Sequence, residues 1–200
     1  MFNLIRRDAI LQKRQLFVFM PFILFFIVMN TDPAFIFLVA SIFIPFNAYA
    51  YDEKAETNVL LNSLPYTRKQ IIASRYLGAI VYMGLSIGVT SIALFVLNKP
   101  FTITDVAIGS GLFLAFVALT FPLFYIFRGS ITPVILITFI VLTGAAPPFV
   151  TFLAEQLPAF TDFIMSLSTP ALYMGLASVI ALLYAVSWSI TTFIYQRKAF

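Results

Sequence analysis

The side chains that could do chemistry are concentrated in one polar stretch, residues 51–76, between two long apolar runs. The stretch carries seven charged residues and reads YDEKAETNVLLNSLPYTRKQIIASRY. Four side chains follow the helical spacing i, i+3, i+4, i+7 and predict an apolar stripe along a short helix: Thr57, Leu60, Leu61 and Leu64. Pro65 would end that helix, because its ring and its missing N–H prevent continuation.

Thr67 and Gln70 form a capping-box pattern, which predicts that a second helix begins directly after the proline. The whole stretch therefore predicts a helix, a sharp stop and another helix. Since its flanks are too apolar for a soluble domain, we expect it to project from a membrane as a docking element.

The chain lacks the residues of most catalytic and metal sites. It has no Cys and no His, which excludes disulfides, thiol nucleophiles, the usual zinc ligands and imidazole proton relays. No Gly-x-x-x-x-Gly-Lys-Ser/Thr phosphate loop occurs, and the acidic residues do not cluster as ligands of a divalent metal would. The sequence therefore predicts no catalytic, cofactor-binding or metal-binding residue, and it argues against an enzyme.

Composition indicates an all-α polytopic membrane protein. The chain is 62% hydrophobic and 10% charged, with a mean hydropathy of +1.01, and a soluble core of 200 residues could not use that much apolar surface. The basic residues flank apolar runs, so membrane-surface anchoring is a better interpretation of them than nucleic-acid binding.

We predict a single transmembrane domain over residues 1–200 with six spans: residues 16–31, 34–51, 77–97, 106–127, 131–146 and 171–195. Residues 1–15 are expected to form an interfacial helix rather than a signal peptide, because no small-residue cleavage site follows them. Residues 52–76 form the loop after the second span. Residues 147–170 are broken by prolines into two short apolar segments, which favours re-entry into the outer leaflet over a surface loop.

Orientation follows from the positive-inside rule. With six spans, eleven of the twelve Lys and Arg residues fall on one side of the membrane and only Lys99 falls on the other. Both termini and the loop after the second span are therefore predicted to be cytoplasmic, in a multi-pass plasma-membrane protein. Five tyrosines near the predicted cytoplasmic ends are interpreted as an aromatic belt: Tyr49, Tyr51, Tyr76, Tyr125 and Tyr195.

Aromatic and small polar residues in two spans are candidates for the lining of a pathway: Phe43, Phe46, Asn47, Tyr49, Thr138, Phe139 and Thr143. The alternative is that they pack against other helices or face lipid, since 24 Phe residues make chance clusters certain and Ser and Thr often bond between or within membrane helices.

Five short motifs after the second span resemble the cytoplasmic signature of ABC-2-type permeases: Asp52-Glu53, Leu60-Leu61, Ser63-Leu64-Pro65, Arg68-Lys69-Gln70 and Ser74-Arg75-Tyr76. The resemblance covers nearly the whole chain, since the six predicted spans and the broken segment before the last span agree with it. Within that family the chain is similar to the small membrane subunits of phenol-soluble-modulin exporters, which handle cytolytic peptides.

The resemblance implies a type V (ABC-2-like) exporter fold, in which two membrane subunits, identical or paralogous, work with two separate ATPase subunits. ATP and Mg would bind in the ATPase, and the helix after the second span would be the coupling helix set into it. The residues implied at that contact are Glu56, Thr57, Asn58, Leu60, Leu61, Leu64, Pro65, Arg68 and Arg75, with lipid headgroups as the alternative partner of the two arginines. The short outer helices would form an extracellular gate with Phe149, Phe152, Phe160 and Phe163.

The leading hypothesis is the permease subunit of an ATP-driven exporter that moves a hydrophobic or amphipathic cargo, a peptide, by alternating access. The same machinery could instead export a drug, a lantibiotic, a lipid or a glycan. A secondary transporter is a weaker alternative, because no charged residue lies deep in a predicted span, although carbonyl oxygens can hold coupling ions. A non-transport membrane protein is the remaining alternative. The expected partners are the ATPase, a second permease subunit and membrane lipid, without nucleic acid.

Overall fold

A computed structural model of the chain describes residues 4, 7, 10, 16–54, 66–127, 131–141, 144 and 146–197. Within these residues the structure is helical, with no strand. Eight helices have defined bounds: α1 Leu16–Val28, α2 Pro33–Lys54, α3 Arg68–Val96, α4 Ile103–Ile126, α5 Ile131–Ile140, α6 Ala146–Gln156, α7 Pro158–Ser166 and α8 Thr169–Arg197.

Four of these helices, α2, α3, α4 and α8, are long and apolar enough to cross a membrane. The helices α1 and α5 have 13 and 10 residues. At 1.5 Å per residue they are about 20 Å and 15 Å long, short of a hydrocarbon core of about 30 Å. The described part of the chain is thus helical, the protein is a polytopic membrane protein, and the count of six spans stays a prediction.

Local sequence explains where the helices begin and end. Gln70 N–H donates to Thr67 Oγ1 and Thr67 N–H donates to Gln70 Oε1 at 2.9 Å, so the predicted capping box at the start of α3 is confirmed. Asn30 and Asn98 end α1 and α3 with φ of 54° and 52°, a left-handed conformation that Asn tolerates better than most residues.

Helices α2 and α8 pack against α4, and α3 packs mainly against α2 and α8. Ala34 and Tyr49 of α2 lie beside Gly109 and Tyr125 of α4, so α2 and α4 run in the same direction. Helix α8 is parallel to them too, because Ile180 contacts Gly111 and Ser187 bonds to Ala118. Helix α3 runs antiparallel, since Arg75 near its start lies against the end of α2. The C-terminal ends of α2, α4 and α8 therefore share one end of the bundle with the start of α3.

Gly109 is the point of closest approach between α2 and α4. A Cβ at this position would lie 2.7 Å from both Ala34 O and Phe37 Cβ, closer than atoms of either kind can approach. The missing side chain lets the two backbones come together, as small residues do between membrane helices.

The chain between α4 and α8 has to return across the bundle, because these two helices are parallel. That return is made by α5, which packs on α4 and α2, and by α6 and α7, which pack on each other. The helices α6 and α7 lie where proline breaks were expected, and their re-entry into the membrane stays a prediction.

Near the N-terminus, Leu4 is helical and buried in the core cluster with Tyr49 and Tyr195.

Candidate functional site

The largest group of packed aromatic side chains in the described residues lies where α2, α4 and α8 end and α3 begins. We call it the aromatic cluster, and its members come from all four long helices: Phe46, Tyr49, Tyr76, Phe116, Phe121, Phe124, Tyr125, Tyr184, Trp188 and Tyr195. The aromatic cluster is adjacent to both helices that contribute to the polar stretch, since α2 ends at Lys54 and α3 begins at Arg68.

Tyr76 is at the centre of the aromatic cluster and is fully buried. Its ring stacks on Trp188 at 5.6 Å with an interplanar angle of 7°. Its edge contacts with Tyr184 and Phe121 have centroid separations of 5.1 Å each. Such ring pairs add about 0.5–1.5 kcal/mol each beyond the area they bury, so α3 is joined firmly to α4 and α8 at this level.

A chain of hydroxyl groups crosses the same three helices. Ser187 Oγ donates to Ala118 O at 2.6 Å, which uses its one proton, so the 2.8 Å contact between Tyr76 and Ser187 has the tyrosine as donor. Thr191 Oγ1, 2.7 Å from the same phenol oxygen, must then donate to it. Tyr184 O–H donates to Tyr76 O at 2.7 Å. The phenol protons of Tyr76 and Tyr184 are therefore both used in hydrogen bonds between helices.

Two arginines of the polar stretch reach the bundle beside the aromatic cluster. Arg75 is only 8% exposed, and its guanidinium carbon lies 5.1 Å from the centre of the Tyr49 ring, a cation–π distance. Tyr49 O–H in turn donates to Tyr125 Oη at 3.0 Å. Arg68 Nη1 donates to Gln196 O at 2.8 Å and thereby links the start of α3 to the end of α8.

Most of the predicted docking residues lie outside the described part of the chain, which omits residues 55–65: Glu56, Thr57, Asn58, Leu60, Leu61, Leu64 and Pro65. The remaining two, Arg68 and Arg75, make the contacts just given. Their role at an ATPase stays a prediction.

The predicted pathway residues occupy three separate surroundings. Phe46 and Tyr49 belong to the aromatic cluster. Phe43 packs 5.4 Å from the rings of Phe19 and Phe22 on α1, and Asn47 Nδ2 donates to Phe43 O within α2.

The remaining pathway residues belong to the region of α5. Thr138 is buried and donates to Val134 O within α5, Phe139 is exposed, and Thr143 lies outside the described residues. The structure thus does not bring the set to one surface, and the pathway role stays a prediction.

The predicted gate residues belong to the two short helices α6 and α7. Phe152 and Phe163 are both largely exposed. The side chains of Phe149 and Phe160 lie outside the part of the structure that is described. The gate stays a prediction too.

The aromatic-belt interpretation is wrong for four of the five tyrosines. Tyr49, Tyr76, Tyr125 and Tyr195 are at most 8% exposed, whereas a belt residue faces the lipid–water interface. The hydroxyls of Tyr49, Tyr76 and Tyr125 form hydrogen bonds inside the bundle, as buried phenols usually do. The side chain of Tyr51 lies outside the described residues.

Sequence reasoning missed the polar face of α8, which supplies three of the four hydroxyl groups in that hydrogen-bonded chain. Tyr184, Ser187, Thr191 and Tyr195 are the buried residues of this helix and follow one another at steps of three, four and four. That spacing puts them on one helical face. The sequence therefore indicated a shared polar face, although it did not indicate that Tyr76 of α3 contacts it.

The aromatic cluster holds no pair of nucleophile and base and offers no titratable carboxylate, so its chemistry is structural. It fastens the start of α3, and with it the end of the polar stretch, to three parallel helices.

Comparison with known proteins identifies one family. The family described as "ABC-2 family transporter protein" matches residues 3–196, nearly the full chain. No curated protein and no solved structure matches. Members of this family are the membrane components of ABC transporters and work with an ABC ATPase subunit, without being catalytic themselves. The chain belongs to the ABC-2 transporter family, as a multi-pass permease component.

Proposed function

We propose that this chain is the permease subunit of an ATP-driven exporter and that the loop of residues 52–76 carries its coupling helix, which ends at Pro65. Two copies, or one copy with a paralogue, would assemble with two ATPase subunits in the plasma membrane, with both termini cytoplasmic. The cargo is a hydrophobic or amphipathic peptide, in line with the similarity to phenol-soluble-modulin exporters. Alternating access is driven by ATP and Mg bound in the ATPase.

One observation supports the coupling role above the others. Residues 55–67 connect the end of α2 to the start of α3, and these two helices meet the aromatic cluster through Tyr49 and Tyr76. A displacement of this segment therefore acts directly on two helices that are bonded to α4 and α8. Arg68, by its bond to Gln196 O, ties the same segment to the end of α8.

The arrangement of charge supports the proposed orientation. Lys54, Arg68, Arg75 and Arg197 belong to the end of the bundle that holds the aromatic cluster, and Lys99 belongs to the opposite end. A membrane protein keeps its Lys and Arg residues mainly on the cytoplasmic side, which puts the polar stretch where an ATPase can reach it.

The coupling role is tested by Leu60→Asp, which places a carboxylate in the predicted apolar stripe. Asn62→Asp is the matched control, because it adds the same charge away from the stripe. In the co-expressed and reconstituted complex we expect Leu60→Asp to abolish ATPase co-purification or permease-stimulated ATP hydrolysis, while Asn62→Asp retains both. If Leu60→Asp behaves as the unsubstituted complex does, the coupling helix lies elsewhere.

The same complex tests the cargo. Amphipathic helical peptides should stimulate its ATP hydrolysis in a concentration-dependent manner, and scrambled peptides of equal composition should stimulate less because they lack an apolar face. A flat response across the peptide panel contradicts the peptide cargo but leaves the coupling result intact. Transport that follows an ion gradient without ATP contradicts the ATP-driven function itself.

A further inference from the structure

A second feature lies at the end of the bundle opposite the aromatic cluster, where the α1–α2 turn meets the α3–α4 turn. Between them is a cavity of about 170 Å³. Its wall is apolar, formed by Ile27, Ile36 and Leu94 beside two prolines, and its rim is polar, formed by Asn30, Thr31 and Lys99. An apolar wall with a cation at its rim is the complement of an amphiphile that carries a negative charge.

The cavity rim is held by two identical backbone motifs. Thr31 N–H donates to Phe26 O and Asn30 N–H donates to Ile27 O, the pair of bonds that defines a Schellman motif with a left-handed Asn. At the end of α3, Lys99 N–H donates to Leu94 O and Asn98 N–H donates to Phe95 O, in the same pattern. Thr31 and Lys99 thus take equivalent positions after their helices.

The cavity walls are also fixed by packing. Ile27, Ile36 and Leu94 are each at most 2% exposed and belong to one core cluster with Phe37. Because both the backbone of the rim and the side chains of the wall are set by contacts of the protein itself, a ligand would enter a site that is largely formed beforehand.

The charge of Lys99 is available to a ligand. Lys99 Nζ donates to Asn30 Oδ1, which holds the ammonium at the rim, and an ammonium has three N–H donors. No carboxylate among the described residues is within ion-pair distance of it. The acidic residues of the two turns are used in helix caps, since Asp32 accepts from Ala34 N–H and Asp105 accepts from Thr102 N–H.

We propose that this cavity binds the phosphate headgroup of an anionic phospholipid, with Lys99 on the phosphate and the upper part of an acyl chain against Pro33 and Pro100, which lie over the buried Ile27, Ile36 and Leu94. A free phosphate would use the ammonium but not the apolar wall, so the wall favours lipid as the source of the anion. In the orientation proposed above this lipid belongs to the outer leaflet. The site requires only that the helices are inserted in a membrane, and it is independent of export.

The binding test uses the full chain purified in neutral detergent, with phosphatidylglycerol and phosphatidylcholine titrated separately and bound lipid counted by native mass spectrometry. Lys99→Gln should weaken phosphatidylglycerol binding by about fivefold, the factor expected for one cation near an anionic surface. Lys99→Arg should retain it. Lys69→Gln, which removes an exposed cation at the other end of the bundle, is the matched charge control.

A second variant tests the cavity independently of the charge of Lys99. Thr31→Trp fills the rim and leaves Lys99 in place, so it should also weaken phosphatidylglycerol binding while phosphatidylcholine binding is unchanged in every variant. Far-UV circular dichroism and the melting temperature establish that both variants are folded.

Three results would each overturn the proposal. If Thr31→Trp binds phosphatidylglycerol as tightly as the unsubstituted chain, or if Lys99→Gln weakens it no more than Lys69→Gln does, the cavity is not the site. If millimolar inorganic phosphate displaces the lipid completely, the site recognises a free anion.

Discussion

The phenol of Tyr76 offers the sharpest test of how the bundle is held together. The substitution Tyr76→Phe keeps the ring contacts with Trp188 and removes only the oxygen that accepts from Thr191 and donates to Ser187. Hydrogen bonds between membrane helices average about 0.6 kcal/mol in double-mutant cycles. Thr191 can turn to a carbonyl of its own helix, whereas Ser187 keeps its bond to Ala118 O. We therefore expect a loss of about 1 kcal/mol in the free energy of unfolding.

The assay is reversible unfolding in mixed micelles of increasing dodecyl sulfate content, followed by circular dichroism. Tyr173→Phe is the matched control, because it makes the same change at an exposed position on α8 and should leave stability unaltered. A double-mutant cycle of Tyr76→Phe with Thr191→Val should give a coupling energy of about 0.5 kcal/mol or more. A coupling energy of zero would refute the assignment of Thr191 as the donor to Tyr76, and equal stabilities of Tyr76→Phe and Tyr173→Phe would refute the reasoning as a whole.

Two further predictions concern single contacts. Gly109→Ala should lower the free energy of unfolding by about 1–3 kcal/mol, because its Cβ would overlap Phe37. Gly84→Ala is the control, since a Cβ at Gly84 meets nothing within 4 Å, and it should be neutral or stabilising in the same unfolding titration. A similar cost at both sites would contradict the close approach of α2 and α4 at Gly109. Thr67→Ala should lower the stability of α3 by about 1 kcal/mol and speed hydrogen exchange of the Gln70 amide, which donates to Thr67 Oγ1. Thr67→Ser should retain the cap. Unchanged exchange in Thr67→Ala would show that the capping box does not protect the start of α3.

The features that sequence reasoning predicted correctly are the local ones. The capping box of Thr67 and Gln70 depends on residues three apart, and its hydrogen bonds are formed within one turn of chain. The same holds for the helical and apolar character of the chain, which composition and periodicity already determine. These properties need no knowledge of which helix packs on which.

The features that escaped prediction depend on partners distant in sequence. Periodicity can place Tyr184 and Thr191 on one face of α8 but cannot indicate that Tyr76 meets them, because their pairing spans more than 100 residues. The tyrosines looked like a lipid-facing belt for the same reason: position along a span determines depth in the membrane, whereas burial depends on neighbouring helices. Gly109 carried no local signal for its contact with α2.

The distribution of contacts along α8 has a mechanical consequence. Its buried residues begin at Tyr184, and none of the side chains from Thr169 to Leu183 is buried. At 1.5 Å per residue, this unburied half is a lever arm about 22 Å long, and its contact with α4 at Ile180 and Gly111 lies near its base. A tilt of about 10° at the cluster would displace its far end by about 4 Å. A small rearrangement around Tyr76 would therefore be magnified at the opposite face of the membrane, where α8 receives the chain from α7.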